Sequence, residues 1–224
     1  MHAGEAAGEM IVRRRWGFIA FGAVILGVLA MFLTPILGPA SKQGLTNPAF
    51  VESQLLADPV GGALNRTIAR TFPEEFEALK QAIVQRAKAG DGPGAAQDAA
   101  GAFVYEATRR HRSALPQAPP ASLRRYLKAE IALVEQLADA PDRCAAYFAD
   151  PMDDAGWFAP DLRERYLALN IALWEAAAAA RDKPAGRSVA PAAKPVSCAE
   201  GLDALKAAAA LPDARFEQVY PAML

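Results

Sequence analysis

The chain has 224 residues, 53% of them hydrophobic and 22% charged, with 24 Lys and Arg against 25 Asp and Glu and a formal net charge of −1. That balance lacks the basic footprint of a nucleic-acid binder, and the apolar share is too high for a disordered tail, so no nucleic-acid partner is expected. The abundance of Ala, Arg, Gly and Pro points to a bacterium with a GC-rich genome.

Residues 1–15 form a short polar stub, read as disordered, ending in Arg13, Arg14 and Arg15. Residues 16–37 then run WGFIAFGAVILGVLAMFLTPIL without a single charge. At 1.5 Å rise per residue such a helix spans ~33 Å, enough for a hydrocarbon core of about 30 Å. Its Phe, Ile, Leu and Val side chains favour insertion by roughly 4–7 kcal/mol before the Gly, Thr and Pro contributions are subtracted. Gly38, Pro39 and Ala40 before Ser41 have the spacing of a cleavage site. The apolar run is longer than a secretory core of about 7–15 residues, however, so an uncleaved signal-anchor is expected. Three Arg precede the span and only Lys42 follows closely, which orients the N-terminus to the cytoplasm and residues 41–224 to the periplasm. Ala20, Ala23, Gly27, Ala30 and Thr34 line one face at spacings of three and four. Small side chains in that pattern let a second membrane helix approach; the alternative is the ordinary abundance of Ala and Gly in spans.

Residues 41–182 read as an α-helical outer domain. Short helices are expected over 49–57 and 63–70. Four Pro-acid pairs follow, at Pro73-Glu74, Pro141-Asp142, Pro160-Asp161 and Pro212-Asp213. Pro has no N–H to leave unpaired in a first turn, and an acid there meets the positive end of the helix dipole, so each pair marks a helix start. Thr71-x-x-Glu74 and Ser197-x-x-Glu200 fit the capping box. Residues 91–94 (DGPG) read as a turn before a helix over 95–113, which Pro116, Pro119 and Pro120 end. A helix over 121–138 carries a stripe of Leu123, Leu127, Ile131, Val134 and Ala138. Another, over 161–181, buries Leu162, Tyr166, Leu169, Leu173 and Ala177. Residues 183–196 are a Pro/Ala linker, and 197–224 form C-terminal helices packed back on the domain. No alternating run suggests a strand. The fold class is therefore all-α, with one N-terminal transmembrane helix and a helical-bundle-like or hairpin-repeat outer domain.

The helices beginning at Pro120 and Pro160 resemble each other at an offset of forty: Arg125, Tyr126, Leu127, Ile131, Ala132, Leu133 and Glu135 recur as Arg165, Tyr166, Leu167, Ile171, Ala172, Leu173 and Glu175. A duplicated hairpin and convergence on a shared core both account for this. Cys144 and Cys198 are the only cysteines, and outside the cytoplasm a disulfide between them is expected. Closing that loop contributes at most about 4 kcal/mol in the chain-entropy model.

Three groups of residues are candidates for binding. Asp150, Asp153, Asp154 and Trp157 set carboxylates beside aromatics, suited to a cation or a sugar, although Met152 breaks the EF-hand pattern. The other reading is a loop with solvated acids and packed rings. Arg109 and Arg110 end one helix while Arg124 and Arg125 begin the next, a candidate basic patch for an anionic partner such as lipid headgroups or cell-wall polymer. Cations at a helix C-terminus are explained by the dipole alone, which suits the first pair and not the second. The third group is the small-residue seam of the span.

No nucleophile elbow, phosphate loop or zinc-ligand spacing is found, and no catalytic residue, metal or cofactor is expected. The sequence thus supports a single-pass periplasmic interaction module, either scaffold, accessory subunit or regulator, partnered by another envelope protein or itself. The alternative is an envelope enzyme or a ligand- or ion-binding domain with its site near residues 150–158.

Overall fold

The computed structural model describes residues 44–90, 92–149, 160–181 and 197–220. Every regular element among them is helical: α1 Pro48–Ala57, α2 Gly62–Thr71, α3 Pro73–Lys88, α4 Gly92–Arg112, a 3-10 turn Leu115–Gln117, α5 Pro120–Leu137, α6 Pro141–Ala149, α7 Pro160–Ala180, α8 Cys198–Ala209 and α9 Asp213–Val219. The all-α class is thus observed. Among the described residues no helix is long and apolar enough to cross a membrane; residues 16–37, with their small-residue seam, lie outside them.

The helix starts follow the proline rule closely. Helices α3, α6 and α7 begin on Pro73, Pro141 and Pro160, and Pro212 is the N-cap of α9. Ser197 caps α8, its Oγ accepting from the Glu200 N–H at 3.3 Å and donating to Glu200 Oε2 at 2.8 Å. The other capping box is not formed. Thr71 instead ends α2, its hydroxyl donating to the Thr67 carbonyl at 2.7 Å, because only Phe72 separates the two helices. Residues 92–94 also belong to α4 rather than to a turn, since Pro is tolerated in a first helical turn. Gly90, with φ of +80°, supplies the left-handed residue that follows α3.

The described residues form two compact units, one from 44–54 and 79–103, the other from 55–78 and from 104 to 220. In the first, Leu45, Val51, Leu79, Ile83, Val84, Ala96 and Ala100 are buried, and Lys80 pairs with Glu52 at 2.6 Å.

The second unit is built on the pairing of α5 with α7; α2 packs on α7, α8 packs on α5 and α6, and α9 meets α5 and α8. Its core holds Ile68, Leu115, Leu123, Tyr126, Leu127, Leu133, Leu137, Tyr147, Leu173, Trp174 and Phe216. The buried arc of α5 is broader than the expected stripe and rotated from it. Ile131 is only half-buried and Ala138 exposed, whereas Tyr126, Glu130, Leu133 and Leu137 are inside. The reason is that α5 faces partners on two sides.

The expected disulfide is present: Cys144 and Cys198 are bonded, with Cα atoms 5.3 Å apart, and join α6 to α8. Beside it Gly201 lies so close to Phe148 that a Cβ there would overlap the ring, which is why α8 has a glycine on this face.

Candidate functional site

Two polar clusters in the second unit stand out. The first surrounds His111, in the last turn of α4. Its Nε2 lies 2.9 Å from Oε1 of Glu75, from the first turn of α3. The imidazole packs against the rings of Phe72, with centroids 4.0 Å apart, and Trp174, at 4.6 Å. Phe72 and Trp174 meet edge to face at 5.3 Å. This assembly follows from local sequence: Phe72 is the single residue between α2 and α3, so the start of α3 places Glu75 one turn beyond the ring. Two side-chain atoms here, Oε2 of Glu75 and Nε1 of Trp174, are buried without a hydrogen-bond partner.

Charges surround the pair. Arg110 approaches Glu75 Oε1 at 3.6 Å. Arg181, just after α7, lies over the Phe72 ring at 4.0 Å, donates to the Thr71 carbonyl at 2.7 Å and pairs with Glu74 at 3.5 Å. Arg70 of α2 pairs with Glu175 of α7 at 2.7 Å. Burial pushes the His111 pKa below its ordinary value of 6.5; the Glu75 charge and hydrogen bond oppose this, while Arg110 and Arg181 add to it. The arrangement favours a neutral imidazole, paired with a carboxylate, whose second nitrogen is a base.

The second cluster centres on Glu130, buried in the middle of α5 and only 4% exposed. One carboxylate oxygen accepts from the Tyr147 hydroxyl at 2.8 Å, the other from the Tyr220 hydroxyl at 2.7 Å. Burial, with the Glu130 charge next, pushes both phenols well above their ordinary pKa, so they remain donors. Burial alone would lower the pKa of Arg112, yet the acidic groups of Tyr126, Tyr147, Glu130 and Tyr220 raise it, supplying a fixed positive charge to the cluster. With both oxygens satisfied, this carboxylate joins α5 to α6 and to the residue following α9.

The four arginines singled out from sequence each have an intramolecular neighbour. Arg109 pairs with Glu106 at 3.1 Å and Arg110 with Glu75, while Arg125 donates to the Ser122 hydroxyl at 3.3 Å. Arg124 donates to the carbonyls of Ala209 and Leu211 and to Asp213, and stacks on Phe216 at 4.1 Å. It therefore satisfies the last carbonyl of α8 and that of Leu211 just beyond it, a role the dipole argument could not foresee because the recipient helix is distant in sequence. Asp150, Asp153, Asp154 and Trp157 lie outside the described residues. Among the described residues no group of three or more His, Cys, Asp or Glu side chains could hold a metal ion.

The roles of Glu75, Glu130 and His111 were not foreseen from the sequence. Glu130 carried a usable signal: it stands four residues from both Tyr126 and Val134, an acid on an apolar helical face. Comparison with protein-family models, characterised proteins and solved structures finds no match to this chain.

Proposed function

We propose that the chain is a single-pass inner-membrane protein whose periplasmic α-helical domain binds another envelope protein or a second copy of itself, as a scaffold, accessory subunit or regulator. The observation that carries this reading is the Cys144–Cys198 disulfide between α6 and α8. Disulfides form and persist outside the reducing cytoplasm, and this one agrees with the topology implied by Arg13–Arg15 and the uncharged run behind them. A domain held at the membrane surface meets its partners in two dimensions, so modest intrinsic affinity suffices for occupancy.

Reversible crosslinking of intact cells, followed by extraction of the membranes, should recover the protein joined to a defined partner chain or to itself. Recovery of the protein alone across linkers of several lengths would overturn the reading. A periplasm-dependent reporter fused after Leu224 should be active; activity of a cytoplasm-dependent reporter in its place would refute the topology.

A further inference from the structure

The His111 cluster has a property the proposed function does not use. It joins four segments, the end of α2, the start of α3, the end of α4 and the C-terminal half of α7, through one titratable ring held at 2.9 Å from a carboxylate and enclosed by two aromatic side chains. We propose that the His111–Glu75 pair is an acid-sensitive latch: proton uptake by His111 loosens the junction of these four segments.

The groups facing the imidazole favour its neutral form. From its own helix comes Arg110; from the residue after α7 comes Arg181, anchored on Phe72 and Thr71; from α3 come Glu75 and Glu74, the latter engaged by Arg181. The Arg70–Glu175 pair between α2 and α7 is internally neutralised. With Nε2–H given to Glu75, a second proton adds at Nδ1 and places a full charge on a ring whose side chain is only 14% exposed. Glu75 attracts that charge, but burial and the two arginines outweigh it, in the sense already given for the lowered pKa.

The sign of the response follows. Above the pKa of an unfolded histidine, about 6.5, neither state is protonated at this ring and pH has no effect through it. As pH falls below that value the unfolded chain takes up the proton before the folded one, so stability declines until the folded-state pKa is passed. The buried, unpaired Glu75 Oε2 and Trp174 Nε1 show that the junction already tolerates incomplete hydrogen bonding. The proposal rests on the envelope reading only for the source of the signal, a compartment that follows the acidity of the medium; the chemistry does not depend on it.

The test uses the full chain in detergent micelles with labelled histidines. The protein has two, His2 and His111, so NMR resolves each titration directly. His111 should titrate below 6.5, and the unfolding temperature should fall between about pH 7.5 and 5 in the wild type and distinctly less in His111→Gln. A His111 midpoint at or above 6.5, or the same acid loss in His111→Gln, overturns the latch. Should that variant not fold, Glu75→Gln serves: removing the attracting charge should move the His111 midpoint further down, and an unmoved or raised midpoint refutes the arrangement. A topology opposite to the one proposed would leave these titrations unchanged, so the two readings fail separately.

Discussion

The two polar clusters of the second unit solve the same problem in opposite ways. Around Glu130 a buried carboxylate has a donor for each oxygen, both phenols are held in the donor form, and the cationic Arg112 lies near. Around His111 one carboxylate oxygen and one indole N–H are left buried and unpaired, and the ring's charged form is opposed by burial and two arginines. A satisfied buried network ties elements together and responds little to conditions, while an incompletely satisfied one is a point of weakness that a proton can act on. One cluster should therefore govern how the C-terminal helices dock, the other how the α2–α3–α4–α7 junction reacts to acid.

The sharpest way to break this contrast is Glu130→Ala. Removing the carboxylate takes its acceptor from each of two buried hydroxyls and leaves a void beside α5, so a loss of roughly 3–5 kcal/mol is expected in denaturant unfolding. Glu130→Gln, which keeps one acceptor oxygen and the volume, should cost clearly less; equal losses would mean that packing rather than hydrogen bonding holds the cluster. Next comes the disulfide. Replacing both Cys144 and Cys198 with Ser should cost ~2–4 kcal/mol and increase hydrogen exchange in α8 and α9 more than in α2. A uniform loss across the domain would argue that the crosslink does not act locally on the C-terminal docking.

The clusters should also fail at opposite ends of the pH scale. The acid limb belongs to His111, as argued above. For Tyr147 and Tyr220 the folded pKa lies above the unfolded value of 10, so their contribution is complete below that pH. It is lost above it, as the unfolded phenols ionise first. Alkaline unfolding should thus be delayed in the Tyr147→Phe, Tyr220→Phe double variant relative to its own neutral stability, and an unchanged alkaline limb would count against the buried phenols as its origin. Least affected should be Arg109→Ala: its pair with Glu106 is solvent-exposed, and a change of at most about 0.5 kcal/mol is expected by thermal unfolding.

Much of the architecture was readable along the chain because it depends on local rules. Pro73, Pro141 and Pro160 start helices through their own missing N–H, and Gly90 follows α3 in the left-handed conformation. Local rules failed where two of them competed. Thr71 had the spacing of a capping box, but its hydroxyl was taken by the Thr67 carbonyl one turn back. Of the candidate site residues, the arginines were visible as charges and not as partners, since Asp213 lies 89 positions from Arg124 and the bond depends on the path of the chain between them.

The α5–α7 resemblance shows the same division. Leu133 and Leu173 are both buried, as are Glu130 and Asn170 at the same offset, yet Tyr126 is buried where Tyr166 is only half so. Sequence alone determined the all-helical class, the helix starts at Pro73, Pro141 and Pro160, the apolar N-terminal run and the pairing of two cysteines, because each depends on residue type at short range or on there being only one possible partner. Tertiary structure alone decided that Glu130 could occupy a core position and that His111 would be held with Glu75. Those outcomes require donors, acceptors and rings from segments 17 to 90 residues away, which no local pattern specifies.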